Sequence, residues 1–435
     1  MTQHLDSKTM PDFFKHRYDS PALSVVASII VFVFLIPYTS SLYNGLSSLF
    51  NISFNIPYWV IIVVMAALTC VYVIIGGYMA TAINDFIQGI IMLVGIVLVI
   101  VAVLNVNGGL VSSMNALSQI EAEGAVPAAE GAKGIFASFF GPDPLALLFV
   151  IILTSLGTWG LPQMVGKFYA IKNEDSIKKG TIISTIFAVI VAGGCYFLGG
   201  FGRLFDSESL YNDGKIVYDR IVPSMLASLD GTVGGKIIIG IVIVLVLAAS
   251  MSTLSSLVLT SSSTLTLDLI DRKGKMTEQK KLSTMRIFVL FFVIVSAAIA
   301  IIKDAHPTFT FIAQMMGVSW GALAGSFLAP FLYGLYWKGA TKAGVWASFA
   351  WGVGVTIVQL LVTFGAIDAA SLGSFFGYMF KSSINSGVLA MVGGLILVPL
   401  VSLVTPKLNK QRLDEIFSCY ERTVTVTVKD SIEEK

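Results

Sequence analysis

The sequence predicts an all-α, polytopic membrane protein of about ten transmembrane helices, because of its composition and its long apolar runs. Hydrophobic residues make up 55% of the 435 residues, and charged residues make up only 12%. Soluble domains carry about 25% charged residues, roughly twice this fraction. A lipid bilayer accommodates so much apolar surface because its hydrocarbon is itself the solvent.

Ten apolar runs are each long enough to cross about 30 Å of hydrocarbon as a helix. The runs are continuous, which favours helices over the alternating pattern of a transmembrane barrel. The predicted spans are residues 22–48, 57–80, 84–105, 143–163, 180–202, 235–262, 284–302, 309–335, 343–365 and 385–405.

The distribution of lysine and arginine predicts the orientation of these spans. If the N-terminus is cytoplasmic, the inner segments hold 21 of the 28 basic residues and the outer connections hold 7. Cytoplasmic loops carry an excess of basic residues, so this orientation is the favoured one. We therefore expect a single transmembrane domain in the plasma membrane with both termini inside. It would comprise a cytoplasmic segment at 1–20, a bundle at 21–405 and a cytoplasmic tail at 406–435.

Composition and motifs exclude several classes of function. The net charge of +2 does not suggest a nucleic-acid partner, and the three cysteines and three histidines are too dispersed for a disulfide framework or a zinc site. The sequence contains no nucleotide-binding loop, cofactor motif or nucleophile triad, so we expect neither an enzyme nor an organic cofactor. No Asp, Glu or Lys lies near the middle of a span, which argues against a proton relay. Energy would then come from a gradient of another ion.

The fourth span contains a predicted helix break. Gly157, Gly160 and Pro162 fall within six residues, and proline removes a backbone donor and clashes with the preceding turn. Unwound backbone within a membrane is tolerated where it faces protein or a water-filled cavity, and transporters use it to bind solutes. The alternative is a simple proline kink.

The sixth span offers oxygen atoms for a cation. The hydroxyls of Ser252 and Thr253 are adjacent, and the carbonyl of Ala249 lies about one turn earlier. Three neutral oxygens of this kind suit a sodium ion that must be released again. The alternative is that these hydroxyls bond back to their own helix or pack against a neighbouring one.

Two further polar residues stand out at the second and first spans. Asp85 lies at the junction of the second and third predicted spans, where it is either a helix N-cap or a residue that attracts cations to an inner vestibule. Tyr38 follows Pro37 within the first span, and a phenol within the membrane needs a partner on a neighbouring helix or a ligand.

Five strings in the chain resemble the sodium:solute symporter family, which includes bacterial proline and pantothenate permeases and animal glucose and iodide transporters. Each string is weak alone, but their order and the helices between them match the family over nearly the whole chain. They are TMPDFFKHRY (9–18), GGYMATAINDFIQGIIM (76–92), GTWGLPQMVGKF (157–168), AASMSTLSS (248–256) and GVSWGALAGSFLAP (317–330).

The resemblance implies a LeuT-type fold of two inverted five-helix repeats, with binding near the bilayer midplane. It implies Na⁺ as the coupling ion and a small organic solute as the cargo. Position by position, it implies sodium ligands at Ala249, Ser252 and Thr253, sodium passage at Asp85, and substrate-site or gate residues at Tyr38, Thr158 and Trp159.

The chain departs from the family in two respects. Thr154 and Thr158 stand where proline permeases carry aromatic residues, and the run LGTWGLPQ is closer to the pantothenate type, which argues against proline as the solute. The TMPDFF string begins at residue 9, whereas in the family it follows the third helix. The resemblance therefore implies that the first three helices are absent. The alternative function is an N-terminally truncated, non-transporting membrane module that binds or senses a solute.

Overall fold

The computed structural model describes residues 1–2, 4–121, 131–167, 171, 174–206, 210–212, 215–229, 231, 233–305 and 312–421. Nearly all regular structure in these residues is helical. The α-helices are α1 (Met10–Tyr18), α2 (Pro21–Phe54), α3 (Tyr58–Val106), α4 (Leu110–Gln119), α5 (Pro144–Ser155), α6 (Pro162–Val165), α7 (Glu174–Gly200), α8 (Ile221–Ala227), α9 (Val233–Thr264), α10 (Glu278–Ala305), α11 (Ile312–Tyr336), α12 (Lys342–Thr363), α13 (Gly373–Phe380), α14 (Ser383–Val404) and α15 (Lys410–Phe417).

Shorter elements connect these helices. A π-helical turn, Leu265–Ile270, continues α9, and two strands, β1 (Tyr211–Asn212) and β2 (Lys215–Ile216), pair antiparallel. The 3₁₀ turns are Ile135–Ala137, Gly157–Gly160, Gly202–Leu204, Tyr218–Arg220, Ala369–Leu372 and Ser418–Tyr420.

The predicted spans correspond to helices in the structure. Within the described residues, nine helical segments are long and apolar enough to cross a membrane, and a tenth apolar segment, Pro144–Gly160, is shorter. The N-terminal part of the predicted span 309–335 lies outside the described residues, and α11 begins at Ile312. The sixth predicted span, 235–262, ends too early, because helical backbone continues through the π-helical turn to Ile270.

Two predicted spans form one bent helix. The structure shows no loop between them, because α3 is helical throughout and contains the two apolar segments Tyr58–Gly76 and Thr81–Val106. Tyr72 donates a hydrogen bond to the carbonyl of Met251, and the Asp85 carboxylate interacts with the next residue of α9, Ser252. A straight helix would place Tyr72 and Asp85 about 20 Å apart along its axis, although they contact adjacent residues of α9. Helix α3 therefore bends sharply between its two apolar segments.

Helix α11 forms the centre of the bundle. Gly317, Gly321 and Gly325 recur every four residues and face α14. A Cβ atom added at Gly325 would lie 2.5 Å from the Cβ of Ala390, and one at Gly321 would lie 3.0 Å from the Cα of Gly387. Small residues thus bring the two backbones into direct contact, as is typical of helix pairs in membranes.

Helix α1 is anchored in this core rather than lying on its surface. Thr9 caps the helix by accepting a hydrogen bond from the backbone of Asp12. Arg17 is fully buried and donates to the carbonyls of Gly334 and Trp337, at the end of α11. A cation favours the C-terminal end of a helix, where carbonyls lack helical partners. Burial lowers the pKa of the Arg17 guanidinium from its ordinary value.

The N-cap of α1 also binds the end of α9. Thr9 donates a 2.6 Å hydrogen bond from its hydroxyl to the buried carboxylate of Asp268, in the π-helical turn. The segment before α1 therefore lies against the end of α9. The surrounding face of the bundle is termed the basic end, and its lysines include Lys8, Lys167, Lys281 and Lys338.

Candidate functional site

The fourth span is interrupted at the predicted position. Helix α5 ends at Ser155, Gly157–Gly160 form a 3₁₀ turn, and Leu161 is extended before α6 begins at Pro162. Proline at the first position of α6 explains the new start, since its missing N–H needs no helical partner there.

Two glycines of this segment allow it to contact α11. A Cβ atom added at Gly160 would lie 2.7 Å from the Cα of Ala324, and one at Gly157 would lie 3.8 Å from its Cβ. The Thr158 hydroxyl bonds back to the carbonyl of Ser155 at 2.8 Å. About half of the Trp159 side chain is exposed (51%).

The three residues of the predicted sodium set lie on one face of α9. Ala249, Ser252 and Thr253 are all half-buried. The Thr253 hydroxyl donates to the Ala249 carbonyl at 3.0 Å, which leaves the lone pairs of the hydroxyl oxygen available to a cation. The back-bonding alternative is therefore realised for Thr253, but it does not remove the oxygen as a ligand.

Asp85 lies opposite this face, in the interior of α3. The N-cap interpretation is wrong, because helical backbone precedes Asp85 without interruption. The Ser252 side chain interacts with its carboxylate, and Lys167 places its Nζ atom 3.8 Å from Oδ2. The other oxygen, Oδ1, is buried and has no hydrogen-bond partner. An orphaned oxygen on a carboxylate that interacts with the Ser252 hydroxyl fits a small hard cation, which prefers oxygen ligands.

Tyr38 lies in a different part of the core. Its side chain is buried in α2, and its ring meets Trp320 of α11 edge to face, with centroids 6.0 Å apart. Trp320 is one turn from Ala324, which the break at Gly157–Gly160 contacts. Because residues four apart lie on the same face of a helix, Tyr38 and the break contact neighbouring positions of α11.

A cavity of about 410 Å³ opens at the basic end, next to the sodium set. Its walls come from the start of α1, the middle of α3, α6 and the hydroxyl-rich half of α9. The residues that line it are Lys8, Thr9, Met10, Thr81, Ala82, Asp85, Pro162, Gln163, Gly166, Lys167, Ser256, Leu259, Thr260, Ser263 and Thr264.

Sequence reasoning identified two of these residues, Asp85 and Pro162, and missed Gln163 and Lys167. Gln163 is 4% exposed, and neither its amide oxygen nor its amide nitrogen has a hydrogen-bond partner. The sequence feature that could have indicated Gln163 is its position directly after a helix-breaking proline in an apolar span. Within the described residues, no group of three His, Cys, Asp or Glu side chains could hold a metal ion.

Comparison with known proteins assigns the family. The sequence model of the sodium:solute symporter family matches residues 3–352. The chain belongs to the sodium:solute symporter family. It is 29% identical to a protein of Staphylococcus aureus named sodium/proline symporter, over 99% of this chain and 77% of the relative. The homologous protein of strain JH9 matches equally well.

The fold agrees with the family. The structure resembles that of a Na⁺-coupled sialic acid symporter in a substrate-bound, outward-open state, with a TM-score of 0.68 and 17% identity. The match covers 94% of this chain and 80% of the other. The chain thus has the LeuT-type fold predicted from its motifs. It is a multi-pass membrane protein that couples the transport of a small solute to Na⁺, and it is not an enzyme.

Proposed function

We propose that this symporter binds Na⁺ through Ala249, Ser252 and Thr253 and that Asp85 conducts the ion to and from them. The observation that carries this proposal is the orphaned Oδ1 atom of Asp85, whose carboxylate interacts with the Ser252 side chain. Burying a carboxylate oxygen without a partner costs desolvation free energy, and a cation bound to that oxygen offsets this cost.

Tyr38, Thr158 and Trp159 are assigned to the solute site or its gates. The break at Gly157, Gly160 and Pro162 supports this assignment, because unwound backbone presents amides and carbonyls to a solute. Thr158 lies within the break, and Tyr38 packs on the same helix that the break contacts. The whole domain is proposed to lie in the plasma membrane, with residues 1–20 and 406–435 cytoplasmic, so that the basic end faces the cytoplasm.

Alternating access supplies the coupling in this proposal. Moving one Na⁺ down a 100 mV inside-negative potential releases about 2.3 kcal/mol. A tenfold concentration ratio corresponds to about 1.4 kcal/mol, so this free energy supports roughly 50-fold accumulation of a neutral solute. The solute is proposed to be a small carboxylate-bearing molecule, since proline and sialic acid, the solutes named for the similar symporters, both carry a carboxylate.

The proposed sodium set is tested by replacing its two hydroxyls. We expect Ser252→Ala combined with Thr253→Ala to raise the half-saturating Na⁺ concentration of uptake into proteoliposomes at least tenfold. The double variant removes two of the three proposed ligand oxygens and leaves only the carbonyl of Ala249. Ser262→Ala is the matched control: it lies on the same helix, bonds back to Val258 and does not line the cavity.

Two results would count against the proposal. An unchanged Na⁺ dependence in the double variant would remove Ser252 and Thr253 from the sodium site. Solute binding without Na⁺-driven uptake by the unaltered chain would favour the alternative, a membrane module that binds or senses a solute without transporting it.

A further inference from the structure

The cavity at the basic end contains a buried amide without a partner. The Gln163 side chain is almost fully buried, it lines the cavity, and both of its polar atoms are unsatisfied. Buried amides are nearly always paired, so an unpaired one needs an explanation. A side-chain amide offers two donors and an acceptor to a ligand.

Charged groups of opposite sign line the same cavity as this amide. Lys167 follows Gln163 by four residues and lines the same cavity, and Asp85 faces it from α3. The Lys167 ammonium lies 3.8 Å from Oδ2 of Asp85, longer than a direct hydrogen bond. The Lys167–Asp85 ion pair is therefore not closely held, and the ammonium is positioned to bind the carboxylate of a solute in place of that of Asp85. The cavity volume of about 410 Å³ lies within the range of small-molecule sites.

We propose that this cavity is a second solute station, separate from the site at Tyr38, and that it binds a small carboxylate-bearing solute such as a zwitterionic amino acid. The Gln163 amide and the Lys167 ammonium donate to the two carboxylate oxygens, and the Gln163 carbonyl accepts from the solute's ammonium group. The inference rests on the proposed function and adds a second location at which the same class of solute binds on its path through the protein.

The station couples the solute to sodium through Asp85. A sodium ion at Asp85 competes with Lys167 for the carboxylate, so Lys167 is released towards the solute. Solute binding at the station is then tighter in Na⁺, and by linkage Na⁺ binding is tighter with solute present.

Binding is measured on the purified full chain in detergent, in NaCl and in choline chloride. The probes are each of the twenty common amino acids, L-lactate and D-galactose, and the first readout is the shift of the thermal unfolding midpoint with concentration. We expect at least one amino acid to stabilise the protein in NaCl and D-galactose to have no effect. Failure of all carboxylate probes to stabilise the unaltered protein would overturn the inference.

The variant Gln163→Met removes the amide and keeps a side chain of similar size that suits an apolar wall. We expect it to fold normally and to weaken binding of the stabilising amino acid at least tenfold, and Lys167→Met to do the same. Gln359→Met is the matched control, since Gln359 is equally buried with an orphaned amide oxygen and lies on α12, outside the cavity. Equal affinities for Gln163→Met and the unaltered protein would overturn the inference.

A local readout separates this station from the site at Tyr38. Ser256→Cys places a thiol on the cavity wall, in a chain whose three cysteines are replaced by serine. The stabilising amino acid is expected to protect this thiol from a maleimide, and to lose that protection with Gln163→Met. Protection that persists in Gln163→Met would overturn the inference. If Na⁺-driven uptake is intact and insensitive to Gln163→Met, only the second station fails; if the unaltered chain shows no Na⁺-driven uptake, the proposed function itself fails.

Discussion

Helices α11 and α7 both cross the membrane, but they occupy opposite environments. In the most apolar 18-residue stretch of the span Ala313–Tyr336, 89% of the stretch is buried inside the protein. The corresponding fraction in Ser176–Leu204 is 6%. The buried span has the lowest mean hydropathy of the nine. Lipid is as apolar as leucine, so apolar side chains gain nothing by leaving it for the protein interior. Close packing and satisfied polar groups decide which helix becomes the core.

The two helices also use glycine differently. Gly325 of α11 lies directly against α12 and α14, whereas Gly193 of α7 has no atom within 4 Å of a built Cβ position. Close packing therefore requires glycine at position 325, whereas a side chain at position 193 would meet no neighbouring residue. The comparison predicts that matched substitutions in the two regions will have very different effects.

The largest difference in stability loss between the two regions is expected when a glycine is replaced by valine. Gly352 of α12 faces α11, where an added Cβ would lie 2.5 Å from the backbone nitrogen of Ser326. Gly352→Val should lower the free energy of unfolding by about 3 kcal/mol, because the backbone of α11 must shift. Gly193→Val should change it by less than about 0.5 kcal/mol. Thermal unfolding in detergent measures both, and equal losses would contradict the assignment of α11 as the packed core.

An intermediate difference in stability loss is expected when a buried and an exposed arginine are each replaced by methionine. Arg17→Met deletes two charge-assisted hydrogen bonds to Gly334 and Trp337, so we expect a loss of about 2–3 kcal/mol. Arg203 is exposed and stacks on the ring of Phe136 at 4.0 Å, so Arg203→Met should lose less than about 1 kcal/mol. Denaturant titration of the two variants would sharpen the comparison, and a larger loss for Arg203→Met would reverse it.

The smallest difference is expected for a single tyrosine hydroxyl. Tyr18 is fully buried and donates a 2.6 Å hydrogen bond to the carbonyl of Pro330 in α11. Tyr18→Phe should therefore lose about 1 kcal/mol. Tyr196 of α7 is 61% exposed, and Tyr196→Phe should have no measurable effect. Identical midpoints for Tyr18→Phe and the unaltered protein would show that this bond contributes nothing to stability.

The sequence by itself determined the helices and the close spacing of the proposed sodium ligands. Apolar runs of about twenty residues can satisfy their backbone groups in lipid only as helices, so the spans follow from local composition. The close spacing of Ala249, Ser252 and Thr253 follows from helical periodicity. Gly157, Gly160 and Pro162 marked the break in the fourth span because glycine and proline act on the backbone locally.

Only the tertiary structure decided how these elements meet. The position of Asp85 between two predicted spans allowed either an N-cap or a residue of an inner vestibule, and the structure excludes the N-cap because α3 continues through Asp85. The orphaned Gln163 and its neighbour Lys167 became visible once α3, α6 and α9 enclosed a common cavity. Whether a polar group has a partner depends on contacts between residues distant in sequence, which local composition does not encode.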